Sequence, residues 1–166
     1  MKLLAFSDLH TDLHQAELLV ERSAAADVVV GVGDFASVHE GLKRTIDALR
    51  AIERPVVLVP GNNETDEALR AACRSWESAR VRHGQGAEIG GVPFYGLGAG
   101  VPVTPWEWSF DLTEDEAGEM LAGCPEGCVL AVHSPPRGHV DASRGRHLGS
   151  ESVLRAIESK RPRLAL

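Results

Sequence analysis

This sequence of 166 residues lacks long apolar runs, an excess of basic residues and enough cysteines for a disulfide framework. No apolar run approaches the roughly 18–20 residues of a membrane-spanning helix, so we expect no membrane partner. The N-terminal segment turns polar at Asp8 and has neither a long apolar core nor a cleavage site, which argues against a secretory signal. Because three cysteines do not make a disulfide framework, we expect a reducing, cytoplasmic setting.

The charge balance narrows the choice of partner. Lys and Arg total 17 against 24 Asp and Glu, a formal net charge of −7. A general nucleic-acid surface needs basic patches, so we do not expect a nucleic-acid partner. A small phosphate ester held through metal ions is compatible with this charge, because the metals bring their own positive charge.

The pair Cys124 and Cys128 has no second pair with which to complete a zinc site.

The length suits one domain, residues 1–166, with a substantial core. In the first part, apolar β-branched runs alternate with amphipathic segments. They predict strands at 2–7, 28–33 and 56–59 and helices at 13–25, 38–52 and 65–76, the last with Thr65 as its N-cap. This order indicates a parallel sheet with crossover helices, and the wholly apolar strands fit a sheet that is covered on both faces.

The pattern changes in the second part. We predict a hairpin at 87–98 turning at Gly90-Gly91, a Gly-, Pro- and Trp-rich loop at 98–110, a helix at 113–122, a strand at 129–132, a helix at 149–160 and a strand at 163–166. In the loop, Trp106 and Trp108 either wall a substrate site or pack on the sheet.

Polar residues stand at the ends of four predicted strands, where open parallel sheets bind ligands. They are Asp8 and His10, then Asp34, then Asn62 and Asn63, and finally His133. Each alone is explained by a helix cap, a turn or a satisfied core histidine. Together they predict a metal site in which four strand ends converge on one edge of one sheet.

The ligand types indicate the metal and the chemistry. Mixed carboxylate, imidazole and carboxamide ligands suit Mn, Fe, Zn or Co better than calcium. A carboxylate shared between two ions places them about 3.5–4 Å apart, which suits in-line phosphoryl displacement.

These motifs resemble those of the calcineurin-like metallophosphoesterases. The stretch 133–136 (His-Ser-Pro-Pro), with Gly138 and Asp141 beyond it, is similar to the small metallophosphoesterase-domain branch that includes cyclic-nucleotide-type phosphodiesterases. The resemblance implies a four-layer α/β/β/α sandwich with two divalent metal ions. It also implies hydrolysis of phosphate esters, by a phosphodiesterase or phosphatase, through attack of a metal-bridging hydroxide.

Carried over by position, the resemblance implies a role for each residue. Asp8 and His10 bind the first metal, Asp34 bridges the two metals, and Asn62 and His133 bind the second. Asn63 occupies the place of the motif's histidine, which usually contacts the phosphate. We expect Asn63 to donate a hydrogen bond to a phosphoryl oxygen without supplying a proton; alternatively, it only shapes the turn. We expect Glu64 to orient that turn.

The family's final Gly-His-x-His motif would follow the predicted strand at 163–166. We therefore expect the native chain to continue beyond Leu166, with this sequence C-terminally truncated. Residues 138–141 lie too close to His133 to replace that motif, so we expect His139 to be a solvated loop histidine. The sequence is compatible with two functions. One is a phosphoesterase, and the alternative is a degenerate module that binds metal and phosphate with little or no turnover. Charge and size disfavour a DNA nuclease subunit. The sequence does not indicate which oligomeric state the protein adopts.

Overall fold

Two four-stranded sheets pack face to face in the computed structural model, which describes residues 1–166. The first sheet has four parallel strands in the order β1 (Leu3–Phe6), β2 (Val28–Val32), β3 (Val56–Val59) and β4 (Ala79–Val81). The second runs in the order β10 (Leu164–Ala165), β7 (Val129–Val132), β6 (Val92–Leu97) and β5 (Gln85–Ile89), with only β5 antiparallel to its neighbour. A separate hairpin pairs β8 (Ala142–Ser143) with β9 (Arg146–His147).

Helices cover the outer face of each sheet. Against the first sheet lie α1 (Leu13–Ser23), α2 (Leu42–Leu49) and α3 (Asp66–Cys73), through a core that includes Leu19, Ile46, Leu58 and Leu69. Against the second lie α4 (Glu114–Ala122) and α5 (Glu151–Lys160), through Leu121, Leu130 and Val153. A third core, with Val30, Val57, Phe94 and Ala131, fills the space between the sheets. The predicted four-layer α/β/β/α sandwich is confirmed.

The prediction that four strand ends share one edge of one sheet is wrong. The strand before His133, β7, pairs with β6 in the second sheet. The hairpin β5–β6 starts this sheet, and its inner face packs on the first sheet because the strands of both are apolar on that side. The polar strand ends therefore meet between two sheets.

The structure differs from the sequence prediction at the start of α2 and in the shortest strands, and it agrees with the prediction at the N-cap of α3. Helix α2 begins at Leu42, because Val38 and His39 have left-handed φ values of 47° and 67° and Ser37 bridges Glu40. Strand β4 and the β8–β9 hairpin, with three and two residues per strand, are too short for a periodic pattern. The Thr65 N-cap is confirmed, because its side chain accepts a hydrogen bond from Ala68 N. No helix combines the length and the hydropathy that a transmembrane span requires.

Candidate metal centre

Asp34 lies at the centre of the converging strand ends and is only 4% exposed. It follows β2 in a left-handed turn, with a φ of 58°. A Cβ at Gly61, after β3, would lie 2.0 Å from Asp34 Oδ1, so glycine is required for the two turns to pack. Asp34 Oδ2 lies 3.6 Å from His10 Nε2, and Asp34 Oδ1 lies 3.6 Å from His133 Nε2. One buried carboxylate thus faces a histidine on each side.

The first donor group comprises Asp8, His10 and Asp34, whose ligand atoms all lie within 4.8 Å of one another. The turn after β1 holds them in place: Asp8 N donates to Gly33 O at 3.0 Å and His10 N to Asp34 O at 2.9 Å. His10 Nδ1 lies 3.3 Å from the carbonyl oxygen of Ala36. A carbonyl only accepts, so Nδ1 carries a proton, and Nε2 is the ring nitrogen that faces the two carboxylates and is available to a metal ion.

The second donor group comprises Asp34, Asn62 and His133. His133 Nδ1 donates to Val32 O at 2.9 Å, so Nε2 is the ring nitrogen that is available to a metal ion. That nitrogen faces Asn62 Oδ1 at 3.4 Å and Asp34 Oδ1 at 3.6 Å. The oxygens of Asp34 and Asn62 and Nε2 of His133 would each donate a lone pair to a cation placed between them. The donor chemistry therefore fits a divalent ion in each group, with Asp34 common to both.

Ser109 and Asp111 orient the amide of Asn62. Asn62 Nδ2 donates to Ser109 Oγ at 2.8 Å, and Ser109 Oγ donates to Asp111 Oδ1 at 2.7 Å. With its nitrogen engaged, the amide must turn Oδ1 toward His133. Sequence reasoning missed Ser109 and Asp111, and only the polar character of two residues within a Gly- and Trp-rich loop could have indicated them.

Substituting Ser109 by Ala should weaken the second metal site. Loss of the hydroxyl frees the amide of Asn62 to rotate, and loss of an outer hydrogen-bond partner typically costs about 10–100-fold in metal affinity. We expect a loss of about tenfold at one site, with the other unchanged, in a titration of the metal-free protein with Mn²⁺. Ser159→Ala, on α5, is the matched control. Equal affinities in wild type and Ser109→Ala would show that the amide needs no support from Ser109.

Glu64 holds the two central turns together. Its carboxylate is 1% exposed and accepts hydrogen bonds from the backbone N–H groups of Asp34, Ala36 and Gly61 at 2.9, 2.9 and 2.7 Å. Burial raises the pKa of Glu64 above its ordinary value, although the backbone hydrogen bonds from Ala36 and Gly61 oppose the shift. The expected role of Glu64 in orienting the turn is confirmed by these bonds.

Asn63 is buried beneath the donor groups, and its side chain is fully engaged. Its Nδ2 donates to Asp34 Oδ2 at 2.7 Å and lies 3.3 Å from Asn62 Oδ1, while its Oδ1 accepts from Val38 N at 2.8 Å. Asn63 therefore positions Asp34 and the loop before α2. Both amide hydrogens are directed at Asp34 and Asn62, which favours the alternative that Asn63 shapes the turn. Its donation to a phosphoryl oxygen stays a prediction.

Two other candidates lie outside the centre. His139 is exposed in the loop after β7, and it belongs to no group of three ligand-type side chains. Cys124 and Cys128 are buried with their sulfurs 3.3 Å apart, and no third ligand joins them. Burial, followed by the neighbouring Cys128, raises the pKa of Cys124 to about 12, so it stays a neutral thiol.

A cleft of about 340 Å³ opens beside Asn62 and His133. Its walls come from the loop that contains Trp106 and from the loop after β7, which contributes Val140 and Leu148. Trp106 is 52% exposed and stacks on Trp108, with ring centroids 5.7 Å apart and an interplanar angle of 14°. Of the two interpretations left open by the sequence, the structure favours Trp106 as a wall of the cleft.

Asp141 fixes the shape of the loop after β7. Its buried carboxylate accepts from Gly138 N, Gly149 N and His147 Nδ1 at 2.9, 3.0 and 2.7 Å. Burial acts to raise the pKa of Asp141, but the hydrogen bonds from His147 and the two glycine N–H groups outweigh it and lower the pKa well below its ordinary value. The ionised form therefore stabilises the folded loop.

Substituting Asp141 by Asn should destabilise the protein in a pH-dependent way. Because the pKa is lower in the folded than in the unfolded chain, the carboxylate contributes stability above about pH 4, the unfolded value. That contribution is lost as pH falls through the folded pKa. Urea unfolding of wild type and Asp141→Asn from pH 7 to pH 3 should give a difference that narrows with acidification. A difference independent of pH would contradict this role.

The family is decided by the first part of the chain. A family model described as the calcineurin-like phosphoesterase superfamily domain matches residues 1–94, which include β1, β2 and β3 with the turns that follow them. The chain belongs to the calcineurin-like phosphoesterase superfamily. Of the six candidate site residues, only His133 lies outside the matched segment. Members of this superfamily typically bind divalent metals, which agrees with the Asp8, His10 and Asp34 group.

Solved structures extend the likeness of fold to the whole chain. The crystal structure of TT1561 of Thermus thermophilus is 18% identical, with a TM-score of 0.79 over 98% of this chain and 79% of that one. A second crystal structure is 20% identical, also with a TM-score of 0.79, over 99% of this chain and 82% of that one. At these identities the likeness concerns the fold alone. No curated protein matches the sequence significantly.

Proposed function

We propose that this protein is a phosphoesterase that hydrolyses small phosphate esters with two divalent metal ions, Mn, Fe, Zn or Co. The observation that carries the proposal is the place of Asp34, whose two carboxylate oxygens each lie 3.6 Å from a different histidine. Asp8 and His10 would hold one ion, Asn62 and His133 the other, and Asp34 both. When bound, such ions activate water as a nucleophile and neutralise charge on phosphoryl oxygens.

The chain's own residues keep these ligands in one arrangement. Val32 O and Ala36 O fix which nitrogen of each histidine is free, and Ser109 fixes the amide of Asn62. Glu64 and Asn63 tie the turns after β2 and β3 to each other. A centre whose ligands are oriented before the ester arrives needs little reorganisation during reaction, which supports a catalytic role.

Position 63 lacks a group that can protonate the leaving oxygen. An amide does not titrate near neutral pH, and general acid assistance is typically worth about 10²–10⁴-fold. We therefore propose that the preferred esters have good leaving groups, as aryl phosphodiesters do. The same observation favours a second candidate, a module that binds metal and phosphate with little turnover.

A screen of metals against substrates separates the two candidates. The metal-free protein is loaded with Mn²⁺, Fe²⁺, Zn²⁺, Co²⁺ or Mg²⁺ and assayed on bis(p-nitrophenyl) phosphate, p-nitrophenyl phosphate and a cyclic nucleotide. We expect turnover of the aryl diester with at least one metal, and its loss in His133→Ala but not in the exposed-loop control His139→Ala. Tight binding of two metals with no turnover of any ester would favour the binding module.

A further inference from the structure

The cleft beside the metal centre has an exposed apolar rim. Trp106, Val140 and Leu148 line it and are 52%, 100% and 58% exposed. They account for three of the seven large apolar side chains that the whole protein exposes, so exposed apolar side chains are concentrated at this cleft. Exposed apolar side chains gathered at a cleft with polar groups at its base mark a ligand-binding surface.

Hydrogen bonds fix the loop that carries Trp106 to the metal centre. Asp111, which supports Asn62 through Ser109, also accepts hydrogen bonds from Thr104 N and Oγ1, both at 2.8 Å. On the other side of the tryptophans, Phe110 N donates to Asn62 O at 2.9 Å. Trp106 therefore sits on a turn that is fixed at both ends relative to a metal-site residue.

A second contact holds the tryptophan pair from outside the turn. His39 Nε2 lies 2.5 Å from Trp108 O, and because a carbonyl only accepts, the imidazole is the donor. The ring of Trp108 then backs that of Trp106, at a centroid distance of 5.7 Å. The stacked pair leaves a flat indole surface preorganised at the cleft.

We infer that Trp106 determines substrate specificity by stacking on an aromatic ring carried by the ester group, while the phosphate lies at the metal centre. This inference rests on the proposed function. A ring between Trp106 and the apolar side chains of Val140 and Leu148 would be buried on both faces. The cleft volume of about 340 Å³ is within the range of small-ligand sites. The substrate class is thus an aryl or nucleoside phosphate ester and not an alkyl one.

Two phosphonates test the inference without relying on turnover. Phenylphosphonate and methylphosphonate present the same anion to the metals, differ in the ring, and have no ester bond to hydrolyse. Binding to the Mn²⁺-loaded protein is measured by calorimetry. We expect wild type to bind phenylphosphonate about tenfold more tightly, a difference of about 1.4 kcal/mol. Trp106→Ala should bring the ratio of affinities close to one with methylphosphonate binding unchanged, and Trp106→Phe should retain most of the ratio.

The matched control is Val103→Ala, which removes an exposed apolar side chain from the same loop but does not line the cleft. It should leave the ratio unchanged. An unchanged ratio in Trp106→Ala, an equal loss of both ligands, or no binding of phenylphosphonate would overturn the inference. So would a shift of Trp106→Ala to a smaller assembly, because Trp106 would then contact a second copy. Ring-dependent binding without hydrolysis of any ester would support a binding site for an aromatic ring at Trp106, but it would refute the proposed function and with it the role in substrate specificity.

Discussion

Asp34→Asn should release both metal ions, whereas Asp8→Asn should release only the first. Asp34 turns one oxygen toward His10 and the other toward His133, and it is buried, so water cannot easily replace it. Asp8 belongs to the first donor group alone, and its side chain is half exposed. A neutral amide cannot balance two dications, and we expect a loss larger than the roughly 10–100-fold caused by removing an outer-shell partner.

Metal analysis of the purified variants after dialysis measures the effect directly. We expect two ions per chain in wild type, one in Asp8→Asn and none in Asp34→Asn. Asp115→Asn, an exposed acid in the first turn of α4, should retain both. Hydrogen bonds of the Asp34 backbone to Glu64 and His10 should survive the substitution, so an unchanged circular dichroism spectrum is expected. Equal metal loss in Asp8→Asn and Asp34→Asn would count against a bridge at Asp34.

Glu64→Ala should produce a large loss of stability, because the carboxylate is the hydrogen-bond partner of three backbone N–H groups. Leaving a buried donor without a partner costs about 1–3 kcal/mol, so the three together predict a decrease of roughly 3 kcal/mol or more in the free energy of unfolding. The turns after β2 and β3 would also separate, and metal affinity should fall with the stability.

Urea unfolding of the metal-free proteins isolates this effect from metal binding. The control is Glu88→Ala, which removes an exposed carboxylate from β5 and should change the free energy of unfolding by less than about 0.5 kcal/mol. A Glu64→Ala variant as stable as Glu88→Ala would show that water satisfies the three N–H groups. The role assigned to Glu64 in holding the turns would then be wrong.

The convergence of the candidate metal ligands could be predicted from the sequence because these residues follow strands that are themselves easy to recognise. A run such as Val56–Val59 is apolar on both faces, and the residues directly after it must then lie at the sheet's edge. The pairing of the strands could not be predicted in the same way. Apolar runs show that β7 is buried, but they do not show which sheet it joins.

Contacts between distant loops account for the other gaps. Ser109 lies 47 residues from Asn62, in a loop without regular structure, so no periodic pattern connects the two. Asn63 shows a second limit of prediction from sequence. Its position in the motif could be recognised, but its hydrogen-bond partners could not be predicted. Packing of the turn after β2 against the turn after β3 directs its amide at Asp34 and Val38. That arrangement depends on backbone angles at Asp34 and Val38 that single-sequence patterns do not reveal.

The central claim is that this chain holds a pair of metal ions that share Asp34. A crystal structure of the protein soaked in Mn²⁺, with anomalous scattering recorded at the manganese edge, tests it most directly. We predict two anomalous peaks about 3.5–4 Å apart. One should lie between Asp8, His10 and Asp34 and the other between Asp34, Asn62 and His133. A single peak, or two peaks of which only one contacts Asp34, would contradict the claim.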